Sequence, residues 1–326
     1  MSGISTSVGR FRGGFILVAA ALIAGSSNPA FAQTRAVDGT VRVQVDDRVA
    51  KFVSFYREAT ATPLSADDRW VIWQRDYGLA AVPPTAFGQT LARKQLDAVW
   101  DRYAALITKL PALTAQAQSL AAPTLRAVAA LFGADADPLA VNLTLFVGQF
   151  DNNAFAGAMV HDVPTVYLPV EMTDPDVALA HEFAHAVHRH VAHLANGYVA
   201  PIGETLLMEG IAMHAAQQVR PGHEATAYTP GTVYGSAWLT TCEGSADAIL
   251  TGIAPHLDST NPETTAKFTY EKGTTGLNDE LYCAGWVLVE HLLTHGYTYQ
   301  QLVRVPEAKL PAFARGAIKG LERPRA

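Results

Sequence analysis

Five of the chain's eleven histidines fall within thirteen residues, HEFAHAVHRHVAH, from His181 to His193. The surrounding stretch, DPDVALAHEFAHAVHRHVAHLANG, predicts one helix. Asp174 or Asp176 would cap it, Pro175 would sit in its first turn, and Gly197 would follow an Asn at its end. At about 100° per residue, His181 and His185 lie about 40° apart, one turn removed, on one face. Their imidazoles can converge on one ion. Glu182 lies about 100° round from His181, beside such an ion rather than on it. Phe183, Val187, Val191 and Leu194 cluster on the opposite side. They are expected to bury the back of the helix and leave the histidines facing a cleft.

The elements before this helix follow from periodicity. Residues 33–45 carry little helical signal and read as a flexible start. From Asp46 to about Leu131 the apolar spacing is helical. Val49, Phe52, Val53 and Tyr56 form one stripe; Leu96, Val99, Tyr103 and Ile107 form another. Trp70, Trp73 and Tyr77 also fall at helical spacing and are expected in the core. Near Val141 the period changes to two, in VNLTLFVGQF, and VPTVYLPVEM reads as a second strand after the loop DNNAFAGAM. A strand pair therefore directly precedes the histidine helix, and helices return after it. The expected fold class is α+β, mostly helical. A small mixed or antiparallel sheet stands before the motif helix, with helical segments on either side. The expected organisation is a leader over 1–32, a helical region over 33–135 and a catalytic-type domain over 136–326.

His-Glu-x-x-His on a helix is a metal-binding pattern, with the two histidines as ligands and the Glu placed to act as a base. Two histidines fill two of zinc's four positions. A catalytic site adds a third protein ligand and leaves one position open to water. The extension that would supply a third histidine needs Gly at 188 and His at 191; the chain has His188 and Val191. The other source is a Glu on the next helix, GETLLMEGIAMHAAQQ, which offers Glu204 and Glu209. They are about 140° apart on that helix, so only one of the two can reach the ion.

LLMEGIA resembles the Asn-Glu-Gly-Phe-Ala segment of the gluzincin aminopeptidases, whose Glu is the third zinc ligand. It is more similar still to the Glu-Gly-Leu-Ala segment of the bacterial predicted zinc-dependent proteases. The resemblance covers roughly 140–300 and is specific at His181–His185 and Glu209–Ala212. It implies a zincin-like domain, Zn2+ held by His181, His185 and Glu209, and Glu182 as general base. Because that family has a late Tyr-x-x-Gly helix, it also implies a hydroxyl donor at Tyr282. Two positions depart from the pattern. The exopeptidase motif Gly-Ala-Met-Glu-Asn is echoed only as Gly157-Ala158-Met159, followed by Val160-His161. The supporting Asp that follows the Glu ligand in thermolysin-type enzymes is Met213 here. Of the other histidines, His188 returns to the metal face, His190 and His193 are expected in solvent, and His214 is expected to be structural. The strand around Val163–Val170 is a candidate to pair with an extended peptide.

The start of the chain reads as an export signal. Arg10 and Arg12 precede the apolar FILVAAALIAG, and Ala30-Phe31-Ala32 supplies a small-x-small cleavage site, with cleavage expected after Ala32. The expected location is periplasmic or secreted, with no stable membrane anchor after cleavage. The formal charge of −6 becomes −8 once two Arg and no acid are removed. A mildly acidic chain without a Lys/Arg run is not built for nucleic acid. Cys242 and Cys283 are the two cysteines. In an oxidising compartment they are expected to form a disulfide. The functional expectation is a zinc metallopeptidase acting on peptide or protein substrates. The alternatives are a non-catalytic periplasmic metal-binding protein and an inactive zincin scaffold.

Overall fold

The computed structural model describes residues 40–82, 85–136, 138–157, 159, 163–194 and 199–321. The leader over 1–32, Gly197, and Ala158, Val160 and His161 of the exopeptidase echo lie outside the described residues. The fold is mostly helical with one small mixed sheet, so the α+β class holds.

Strand β1 (Val41–Asp47) replaces much of the expected flexible start. Its sequence VRVQVDD alternates, with Val41 and Val43 buried and Arg42 and Gln44 exposed. β1 pairs in parallel with β2 (Leu139–Phe146), Val41 opposite Leu139. The two-residue β3 (Phe155–Ala156) lies in the loop expected between the two strands. β4 (Thr165–Pro169) runs parallel to β2 on its other side, and β3 pairs antiparallel with β4. The order is therefore β1-β2-β4-β3. This overturns the expectation that the strand around Val163–Val170 could accept a peptide. β4 has hydrogen-bonded neighbours on both sides, and the edge beside the motif helix belongs to β3.

Parallel neighbours require a crossover. Between β1 and β2 it is built from the helices Val49–Thr60, Ala66–Asp76, Ala86–Val99, Arg102–Ile107 and Leu110–Phe132. Aromatic side chains hold this layer together. Trp70 and Trp73 stack with centroids 4.7 Å apart, and Phe52 packs on Tyr103 at 4.8 Å. The Tyr77 hydroxyl donates to the Val147 carbonyl at 2.7 Å and accepts from the Val147 N–H; the Tyr103 hydroxyl donates to the Gly148 carbonyl at 2.9 Å. These two buried phenols tie the N-terminal helices to the chain leaving β2. The predicted core role of Trp70, Trp73 and Tyr77 is met.

The motif helix runs from Pro175 to Ala192 and packs on β3 and β4, the Leu110–Phe132 helix and the Ile202–Val219 helix. No side-chain cap closes its N-terminus. Instead the Asp176 carboxylate, in the first turn, lies 3.1 Å from His223 Nε2. That position still places negative charge at the positive end of the helix dipole. The helix stops before Gly197, at His193, which adopts the left-handed conformation with φ 50°. Every residue from Val177 to His188 is buried. The expected apolar back is met, with Phe183, Val187 and Leu194 buried and Val191 packed against the core, but the expected open histidine face is corrected. The small residues Ala178, Ala180, Ala184 and Ala186 let neighbours close on all sides.

Cys242 and Cys283 form a disulfide with Cα atoms 5.6 Å apart. It fastens the helix Ser236–Gly244 to the helix Glu280–Thr294. By loop entropy alone such a bridge is worth on the order of 3–4 kcal/mol. Thiol labelling of denatured, unreduced protein should therefore give almost no signal, and Cys242→Ala with Cys283→Ala should lower the thermal midpoint. Two labelled thiols in the unreduced protein would contradict the bridge.

Candidate metal centre

His181 and His185 lie one turn apart on the motif helix, and Glu209 reaches them from the Ile202–Val219 helix packed alongside. The two Nε2 atoms are 3.1 Å apart. Glu209 Oε2 lies 3.2 Å from His181 Nε2 and 3.5 Å from His185 Nε2. A tetrahedral ion with bonds of about 2.0–2.1 Å needs its ligand atoms about 3.3–3.4 Å from one another. The three separations match that triangle. Glu209 Oε2 is buried and, although close to both imidazoles, is not aligned with either as a hydrogen-bond acceptor. Three electron-pair donors thus converge on one point, and this donor set fits a metal ion. Of the two carboxylates the sequence left open, Glu209 is the one brought to the histidines. Glu204, five residues earlier, turns toward a neighbouring cavity.

Electrostatics follow from burial and these contacts. Burial alone would raise Glu209, but the charge of the two histidines beside it holds its pKa down, to about 2. Burial pushes His181 down, and the Glu209 contact with the Glu182 and Glu209 charges more than offsets it, so its pKa is raised. Glu182 is raised, first by burial and further by Glu209, against the opposing pull of His181, His185 and the Ala156 N–H. That last contact was invisible in the sequence. The Ala156 amide, on the edge strand β3, lies near enough to Glu182 to hold its pKa back slightly. A carboxylate raised in this way is a better proton acceptor and donor near neutral pH.

Tyr282 is fully buried, and its hydroxyl makes no hydrogen bond among the described residues. Burial first, then the charge of Glu209, raises its pKa well above the usual phenol value, and Glu182 acts in the same direction. The phenol therefore stays protonated beside the triad. Its placement depends on two glycines. A Cβ at Gly210 would come within 2.2 Å of the Gly285 carbonyl oxygen, and one at Gly285 within 2.5 Å of the Leu206 oxygen. Backbone meets backbone where the Glu280–Thr294 helix crosses the Ile202–Val219 helix. This gives the Gly of Glu-Gly-Ile-Ala and the Gly of Tyr-Cys-Ala-Gly a physical meaning: together they bring Tyr282 next to Glu209. Gly210→Ala should cost roughly 3 kcal/mol, as overpacking against rigid backbone does. Chemical denaturation would read this, and an unchanged midpoint would remove the close approach.

Sequence reading missed two further neighbours, Tyr270 and Asp279. Asp279 is buried, and its Oδ2 has no partner among the described residues. Burial first, then the charges of Glu209 and Asp279, raises Tyr270 to about 12. Both residues sit on the loop 270–279. The Glu280 carboxylate fastens that loop by accepting from the N–H and hydroxyl groups of Thr274 and Thr275. The remaining histidines mostly follow expectation. His214 stacks on Trp286 at 3.9 Å and contacts its carbonyl at 2.8 Å, and His193 is exposed. His190, expected in solvent, is half-buried. His188 is fully buried, with neither ring nitrogen hydrogen-bonded among the described residues, and burial pushes its pKa down to about 3. It is a neutral side chain at working pH. His185 Nδ1 is likewise without a partner among the described residues.

In comparisons with known proteins, no family model, no curated protein and no solved structure matches the chain.

Proposed function

We propose that the protein is an exported zinc-dependent metallohydrolase of the gluzincin type, hydrolysing peptide bonds. The observation that carries this reading is the pairing of a converging ligand triangle with a separately oriented Glu182. A protein that only holds metal has no need of a further buried carboxylate beside the ion, with its pKa raised by burial.

His181, His185 and Glu209 would hold a zinc ion, which when bound would supply Lewis acidity toward the scissile carbonyl and lower the pKa of a water. Glu182 accepts the proton of the attacking water and passes it to the leaving nitrogen. Tyr282, protonated and with a hydroxyl that has no partner among the described residues, donates a hydrogen bond to the oxygen that gains charge. Burial of the whole group excludes bulk water and strengthens each of these interactions. The disulfide and the absence, among the described residues, of a helix long and apolar enough to cross a membrane are compatible with export.

The same burial is what favours the second reading, a metal-holding protein without turnover. His181, Glu182, His185 and Glu209 are each at most 3% exposed, so substrate must reach them through an opening that the surrounding side chains make. Zinc content together with digestion of a mixed peptide library, wild type against Glu182→Gln, separates the two. Cleavage that depends on Glu182 supports the hydrolase, and full zinc with no cleavage supports the holder.

A further inference from the structure

A cavity of about 280 Å³ opens beside the triad. Its walls begin one helical turn from the ligands on both helices: Arg189 is four residues after His185, and Thr205 four before Glu209. Tyr270, on its rim, is close enough to feel the Glu209 charge. The lining is mainly apolar, from Leu194, Val199, Met208, Pro262 and Ala266. Into this wall the chain places Glu204, a carboxylate only 7% exposed.

That carboxylate is under-compensated. Burial raises its pKa most, Glu307 raises it further, and the opposing effect of Arg189 is smaller, so the group sits at about 7. Arg189 also turns a guanidinium nitrogen to the Gly157 carbonyl, at 3.4 Å. Glu204 and Arg189 are the charged residues that line this space among the described residues, with Glu307 near enough to raise Glu204, and burying a carboxylate in an apolar wall is costly unless a cation joins it. An occupant with a methylene stem and a positive head satisfies both the walls and Glu204.

Resting on the peptidase reading, we infer that this cavity is the recognition pocket for a lysine or arginine side chain of the substrate, with Glu204 as its counter-charge. Glu204 is thus a specificity residue, distinct from the ligand Glu209 five positions on. The side chain it accepts belongs to a residue close to the scissile bond, because the pocket adjoins the metal centre.

The test is cleavage-site profiling of a diverse peptide library by the zinc-loaded full chain. Lys and Arg should be enriched over Leu at one fixed position relative to the cut, on the order of 10-fold for a single charge pair with Glu204. Glu204→Gln, which preserves shape, should bring that ratio close to one while zinc content stays at the wild-type level. Cleavage without a cation preference, or a preference that Glu204→Gln leaves intact, overturns the pocket and leaves the peptidase reading standing. Absence of cleavage of any peptide by the zinc-loaded wild type overturns both.

Discussion

Glu209→Ala should strip the protein of bound metal. Wild type dialysed against dilute zinc is expected to retain about one ion per chain by elemental analysis, and Glu209→Ala, His181→Ala and His185→Ala close to none. The expectation follows from the triangle of donors, in which each atom is within 3.5 Å of the other two. Groups that merely support metal ligands are worth 10–100-fold in affinity, so removing a ligand should cost at least about 100-fold. Stability gives a second readout. Zinc at roughly 100 times its dissociation constant adds about 2.7 kcal/mol to the wild type, and that increment should vanish in the ligand variants. Glu204→Ala is the control, because its carboxylate lines the cavity and takes no part in the triangle. Full zinc in Glu209→Ala with loss in Glu204→Ala would reverse the assignment of the third ligand.

What was legible in the sequence is what depends on local geometry. His181 and His185 are brought together by helix spacing alone, so the spacing was enough. Glu209 lies on the next helix, and spacing left it tied with Glu204; the Glu-Gly-Ile-Ala resemblance favoured it, and the glycines explain why that segment has its form. At Gly210 a side chain would collide with the Gly285 carbonyl, so the motif records a helix crossing as much as a ligand.

The features that were missed all depend on distant partners. β1 alternates cleanly over VRVQVDD, yet a parallel pair with β2 closes only after a crossover of about ninety residues, which no local pattern announces. β3 has two residues and sits among turn formers, so its place at the sheet edge, and the nearness of Ala156 to Glu182, could not be read. The open cleft was predicted from an amphipathic pattern. The alanines between the histidines gave a contrary sign, that the helix is packed on every side. Tyr270 and Asp279 come from a loop that looked like a simple connection. The Glu280 carboxylate binds that loop down, and nothing in its composition signals the four hydrogen bonds involved.

Glu182→Gln should keep zinc and lose hydrolysis. The substitution preserves volume and leaves His181, His185 and Glu209 untouched, so the ligand triangle should persist and metal analysis should match wild type. What is lost is the proton acceptor. A positioned base contributes about 10²–10⁴ in rate, and the turnover number on any peptide the wild type cleaves should fall by that amount. Residual turnover at the lower bound is expected if the Lewis acidity of the metal and the Tyr282 hydroxyl continue to act. The wild-type pH profile supplies an independent check on the same group. Glu182 works as a base only when ionised, and burial together with Glu209 raises its pKa above that of an ordinary carboxylate. Activity should therefore fall as pH drops through that raised value, and Glu182→Gln should flatten this acid limb. If Glu182→Gln cuts peptides as fast as wild type, the base is another group and the mechanism is wrong even with the metal in place. If the rate falls but zinc falls with it, Glu182 serves the site's structure, and the ligand triangle has to be drawn to include it.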